Sequence, residues 1–200
     1  MSQTIPLAHD FICPWCWIAV HQIARLRKEF EFQVEWRSYE LWPAELERPP
    51  DQARAPIPNQ APIPTRLELM LALEHLEIPK IDRPKRMNSH RAHLAAQFAL
   101  GAGMGEPYIL ELYKAFWERG ENLDEPEILA NLAAEFGVDS NNMLDSIRSN
   151  RFDDRIVKFD APAYKTGIFH VPTFIIGGIP YAEQPFHVLQ KAMAEAAVRA

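Results

Sequence analysis

The 200-residue chain has 48% hydrophobic and 24% charged residues and a formal charge of -6, a composition that can bury a core without disulfide staples or a structural metal. No stretch approaches the roughly 18 uninterrupted apolar residues of a spanning helix, and Met1-Ser2-Gln3-Thr4 lacks the flank and core of a signal peptide, so a cytoplasmic location is expected. The acidic balance and the lack of a Lys/Arg block exclude nucleic acid as a partner, because phosphate neutralisation supplies most of that affinity.

In chain order, the first readable element is a helix beginning at Cys13-Pro14-Trp15-Cys16. Ala19, Ile23, Leu26 and Phe30 follow at helical spacing, and Arg25, Arg27 and Lys28 complement the negative end of its dipole. Residues 31 to 39 alternate with period two, Phe32, Val34 and Trp36 against Gln33, Glu35 and Arg37, which predicts a half-buried strand. From Pro43 to Pro64 there are seven prolines and little periodicity, so this stretch reads as an extended linker at a domain boundary.

An all-helical stretch is predicted next. Thr65 and Glu68 form a candidate capping box before Leu69, Leu73 and Leu76, with Pro79 as the stop. Leu94 and Phe98 mark a second helix, stopped by Gly101, Gly103 and Gly105. Pro107 starts a third, with Ile109, Leu112 and Phe116 inward and Gly120 at its end. Asp124 and Glu127 open a fourth, closed by Gly137. Ser140 is the expected cap of a short helix through Ile147, and Phe152, Ile156 and Phe159 mark a last, which Pro162 should kink or end.

Val171-Pro172-Thr173-Phe174-Ile175-Ile176, Gly177-Gly178 and Ile179-Pro180-Tyr181 read as two strands around a two-residue turn, the second an edge strand because of Pro180. Phe186, Leu189, Met193 and Ala197 then recur at helical spacing behind Pro185. Neither terminal piece has enough strands for its own sheet. Residues 1–60 and 165–200 are therefore expected to form one α/β domain, with a helical domain, 61–164, inserted between its halves.

The chemistry concentrates in the only two cysteines. Pro14 suits the first helical position, where its missing N–H costs nothing, so Cys13 falls at the cap, near backbone N–H groups that favour negative charge on sulfur. Cys16 lies about one turn along, placed to attack a mixed disulfide on Cys13 and release the substrate. Half of a zinc site is an alternative, but no second cysteine pair exists and the seven histidines show no completing arrangement. An inert pair of core cysteines is the other. His90 and His93 share a helix face and read as a solvated or core pair rather than metal ligands. Asp10 reads as a turn or cap residue, or as a group that influences proton transfer at the cysteines.

The segment Asp10-Phe11-Ile12-Cys13-Pro14-Trp15-Cys16, paired with Val171-Pro172-Thr173-Phe174 near the other end, resembles the DsbA-like thioredoxin superfamily, and within it the FrnE-like group. The helical insertion matches that group too, so the resemblance spans nearly the whole chain. It implies a thioredoxin fold of the α/β class split by the insertion, with Cys13 and Cys16 catalytic and Pro14, Trp15, Val171, Pro172 and Thr173 against the substrate. It also implies that Pro172 is cis and faces the cysteines, leaving the Val171 backbone free to pair with an extended substrate. Asn88, Ala92 and His93 resemble a segment of the branch in which the inserted helix overhangs the active site. Two departures stand out. Pro6 falls within the expected first strand, predicting a bulge or late start there. Ala182-Glu183-Gln184-Pro185 only partly follows the family's Gly-Ala-Gln-Pro.

The expected function is that of an enzyme: a thiol–disulfide oxidoreductase acting on protein or glutathione thiols, as monomer or homodimer, with no metal or organic cofactor and glutathione as a candidate substrate. A glutathione-dependent transferase or isomerase, like the kappa-class transferases and chromene-carboxylate isomerases of related fold, is the first alternative. Those enzymes carry a serine where this chain has Cys13. A redox-sensing binding module is the second.

Overall fold

The computed structural model describes residues 3–47, 63–159 and 165–199. Most of the proline-rich connection, and Pro162, lie outside them. Strand β1 (Gln3–His9) leads into helix α1 (Pro14–Leu26), which returns the chain to β2 (Phe32–Glu40). Five helices follow: α2 (Arg66–Glu74), α3 (His90–Gly101), α4 (Gly105–Arg119), α5 (Pro126–Ala134) and α6 (Ser140–Arg148). A two-residue strand β3 (Val157–Lys158), the hairpin β4 (Thr173–Ile176) and β5 (Ile179–Ala182), and helix α7 (Phe186–Arg199) complete the chain.

The sheet order is β3-β2-β1-β4-β5, with the N-terminal strand at its centre. β1 and β2 run parallel over seven paired positions, while β4 and β5 join antiparallel. The Gly177-Gly178 turn has positive φ at both residues, 57° and 80°, which glycine adopts without steric cost. β5 is the edge strand, and Pro180 sits on it.

β1 runs straight through Pro6, with neither the bulge nor the late start that the proline predicts. β4 pairs only with Leu7 and Ala8, so on that side β1 is unpaired at Pro6, an edge-like setting in which a proline is tolerated. Among the described residues, the last helix expected before the hairpin, marked by Phe152, Ile156 and Phe159, does not form. Residues 153–155 form a single 3-10 turn, and Val157 and Lys158 pair in parallel with Tyr39 and Glu40. The sheet edge satisfies the end of that stretch, where Phe159 N donates to the Glu40 carbonyl at 2.9 Å.

Helix starts differ from expectation in small ways. α4 begins at Gly105, two residues before Pro107, and a Cβ at Gly105 would lie 2.8 Å from the Leu100 Cα, so only glycine fits against the end of α3. Pro126, following Glu125, opens α5. Asp139, not Ser140, caps α6 by accepting from Asn142 N at 3.0 Å, while the Ser140 hydroxyl donates to the Ala130 carbonyl.

The capping box of α2 forms as expected, but the helix stops at Glu74, ahead of Pro79, with His75 in the left-handed region. Its face is the reverse of the apolar pattern: Leu69 and Leu73 are 57% and 54% exposed, and the buried residue is Glu74, at 5%. The Glu74 carboxylate accepts from Arg25 Nη1 (2.6 Å), Gln22 Nε2 (3.0 Å) and Phe186 N (2.6 Å), so it ties α2 to α1 and α7. Those donors make burial of a carboxylate tolerable.

One continuous apolar core runs from the sheet (Ile5, Leu7, Trp36, Phe174) through α1 (Ile18, Ile23, Leu26) into α3 and α4 (Leu94, Ile109, Leu112). The buried face of α3 is largely alanine, Ala92, Ala95, Ala96 and Ala99, small side chains that admit close neighbours. On α7 the buried residues are Leu189, Ala192, Met193 and Ala196, one position off the expected Ala197.

Candidate active site at the start of α1

β1 delivers the chain to the sheet end, and α1 starts there with Cys13 at the N-cap in extended conformation (φ -82°, ψ 118°) and Pro14 in its first turn. The Cys13 carbonyl accepts from Cys16 N and Trp17 N, at 3.0 and 3.1 Å, which closes the first turn. Contrary to the cap expectation, the Cys13 side chain accepts no backbone N–H of its own helix. Its thiol instead donates to the Val171 carbonyl, 3.4 Å away and 158 residues along the chain.

That carbonyl precedes Pro172, and the Val171-Pro172 peptide bond is cis. The Thr173 hydroxyl donates to the His170 carbonyl at 2.6 Å, and Glu183 N donates to the Pro172 carbonyl at 2.9 Å, holding this turn from both sides. The turn before β4 therefore brings the Val171 carbonyl against the start of α1, where it is occupied by the Cys13 thiol, and the Val171-Pro172 bond is cis as the family resemblance implies. Trp15 is half-buried, with the Arg66 guanidinium 4.7 Å from its ring centroid. Arg66 also pairs with Glu183 at 2.5 Å, so the departing Ala182-Glu183-Gln184-Pro185 loop is linked to the start of α2.

Both cysteines are free thiols and enclosed, Cys13 4% and Cys16 1% exposed. Both belong to the apolar core, and each sulfur makes one backbone contact there. The two sulfurs are within hydrogen-bonding reach of one another, and Asp10 N donates to Cys16 Sγ at 3.4 Å. Burial pushes the Cys16 thiol well above its ordinary range, reinforced by Cys13 beside it.

Beneath the sulfurs lies a polar cluster that sequence reasoning largely missed. Asp10 is fully buried. Its carboxylate accepts from Leu41 N (2.8 Å) and Ile12 N (3.4 Å), so it is a turn residue, but His93 Nε2 also lies 3.3 Å from Oδ1. That approach is within ion-pair distance, yet His93 Nε2 makes no aligned hydrogen bond. The Tyr113 hydroxyl, from α4, donates to the Asp10 carbonyl at 3.2 Å and lies 3.0 Å from His9 Nδ1. Burial lowers the basicity of His9, as does His93 close by, and burial raises Tyr113, helped by Cys16 and Cys13. Asp10 and His93 had a sequence signal, their family segments. His9 and Tyr113 carried no such signal.

His90 and His93 part company. His90 lies 2.9 Å from Glu40 and 3.3 Å from Asp153, whereas His93 reaches Asp10. Asn88 donates to the Trp42 carbonyl and accepts from His90 N. Among the described residues no group of three or more His, Cys, Asp or Glu is arranged to hold a metal ion.

A family model for the DSBA-like thioredoxin domain matches residues 4–194. The chain belongs to that family. Curated relatives include the uncharacterized protein YwbO of Bacillus subtilis, 25% identical over 181 residues and 88% of each chain. Another is a 2-hydroxychromene-2-carboxylate isomerase of Sphingobium xenophagum, 23% identical over 88% of this chain and 90% of that one. Among solved structures, a probable DsbA oxidoreductase from Streptomyces coelicolor superposes with a TM-score of 0.74 at 19% identity, covering 98% of this chain and 91% of that one. The cytosolic disulfide reductase DsbM from Pseudomonas aeruginosa gives 0.65 at 18% identity over 98% of each, and is also known with glutathione. At these identities the structural likeness establishes the thioredoxin-like fold, an α/β sheet with seven α-helices among the described residues.

Proposed function

We propose that this chain is a cytoplasmic thiol–disulfide oxidoreductase acting on protein or low-molecular-weight thiols, glutathione among them. One observation carries the reading: two free thiols within reach of each other at a helix start, with Cys13 turned toward the carbonyl that precedes the cis proline. Cys13 is the sulfur that exchanges with substrate. Its thiolate attacks a substrate disulfide, one substrate sulfur leaves as thiol, and the mixed disulfide is resolved when Cys16 displaces the second. The reverse sequence oxidises a substrate dithiol, and the direction follows the potential relative to the glutathione pool. The exchange draws on no metal or organic cofactor. Pro14, Trp15, Val171, Pro172 and Thr173 form the substrate-facing rim. The DsbM neighbour is a cytosolic protein that has been captured with glutathione, which supports the compartment and the thiol.

A glutathione-dependent isomerase is the second reading, favoured by the likeness to the chromene-carboxylate isomerase. Cys16→Ser separates the two. Under the redox reading it accumulates a glutathione adduct on Cys13, visible by intact mass, and loses disulfide turnover. An isomerase loses nothing with Cys16, so full isomerase turnover by this variant, without adduct, would overturn the redox assignment.

A further inference from the structure

The resolving step poses a problem of its own. Cys16 is enclosed by protein and must become an anion before it can attack. Two donors surround its sulfur. The Asp10 N–H already points at it from 3.4 Å. The Tyr113 hydroxyl is close enough to the same sulfur for Cys16 to raise its hold on a proton, and in the dithiol state it donates to the Asp10 carbonyl at 3.2 Å. A phenol hydrogen turns about its C–O bond with little movement of heavy atoms. His9 Nδ1, 3.0 Å from the Tyr113 oxygen, is placed to donate to it and free the hydroxyl hydrogen for another acceptor.

We infer that Tyr113 is a further catalytic residue of this site: its hydroxyl swings from the Asp10 carbonyl to Cys16 and, with the Asp10 N–H, cradles the thiolate that resolves the mixed disulfide. The inference rests on the oxidoreductase reading. In the step itself the Cys16 S–H bond breaks and its sulfur bonds to Cys13 Sγ, while the Cys13–substrate disulfide breaks. The substrate leaves as thiolate and takes up the proton that Cys16 lost, so Cys16 is oxidised and the substrate sulfur reduced. Donors fixed where charge develops act most strongly in a water-poor site. The titratable groups facing this pair are Cys13, His9 and Asp10, with His93 from α3 beside Asp10. Tyr113 thus gives the helical segment a part in the sulfur chemistry, 97 residues from the thiol it serves.

The test follows single-turnover reaction of the reduced full-length protein with glutathione disulfide, by acid quench and intact mass. In Tyr113→Phe the Cys13 adduct should form at the wild-type rate but last roughly tenfold longer, and the pH midpoint of its resolution should rise by about one unit. With 3-fluorotyrosine at position 113, a more acidic phenol of nearly the same size, the midpoint should fall. Folded variants that both keep the wild-type lifetime and midpoint would overturn the inference and leave the oxidoreductase reading standing. If Tyr113→Phe does not fold, the fluorinated protein alone decides, by a midpoint that moves or does not. A wild-type protein that forms neither an adduct nor the Cys13–Cys16 disulfide removes the oxidoreductase reading, and this inference with it.

Discussion

The Cys13 thiol and the Val171 carbonyl meet at 3.4 Å, closing the helix start of α1 against the turn before β4. The sulfur proposed to exchange with substrate is thereby held against a backbone acceptor. The Thr173 hydroxyl steadies this arrangement through the His170 carbonyl.

Thr173→Val keeps the side-chain shape and removes that hydrogen bond. It should cost about 1 kcal/mol of stability, the usual net worth of such a bond, and slow adduct formation at Cys13 as the turn loosens. Urea unfolding and the alkylation rate of Cys13 check the two effects. Unchanged values in both would show that the turn needs no such brace.

Glu74 is the anchor between α2 and the α1–α7 pair. Glu74→Ala leaves Phe186 N and the Gln22 amide short of a buried partner. The expected loss is about 2–3 kcal/mol, counting little for the Arg25 pair because Arg25 is 41% exposed. Glu74→Gln should lose less, since one acceptor remains. A urea midpoint for Glu74→Ala equal to wild type would refute this role.

His9 sets a pH dependence. Its folded-state affinity for protons is depressed by burial and by His93, so below the ordinary value of 6.5 the unfolded chain binds a proton that the folded chain does not. Stability contributed by neutral His9 is therefore present above that pH and lost as pH falls, by at most about 1.4 kcal/mol per unit for one group. Between pH 7 and 5.5 the wild-type unfolding free energy should fall, and His9→Gln should show a shallower slope. Equal slopes would assign the effect to another group.

Much of this was legible because its signals are local. Pro14 at a first helical position, the Gly177-Gly178 turn and the Thr65/Glu68 capping box each involve residues within a few positions of each other. What escaped depends on distant partners. The inward turn of Glu74 is set by donors from α1 and α7, which no periodicity within α2 encodes. β3 has two residues, too few to show alternation, and exists because the β2 edge offers Tyr39 and Glu40. Nothing near Tyr113 in sequence distinguishes it from Tyr108, which is equally buried and donates to the Leu129 carbonyl. Only the packing of α4 under the end of β1 makes the difference.

The most direct test of the sulfur chemistry is a redox titration. The protein is equilibrated across ratios of reduced to oxidised glutathione, its free thiols are alkylated, and the products are weighed. The expected result is one two-electron transition in which Cys13 and Cys16 are lost together to an intramolecular disulfide, with any glutathione adduct on Cys13 alone. Two thiols that stay reduced at every ratio, or an adduct that settles on Cys16, would contradict the account.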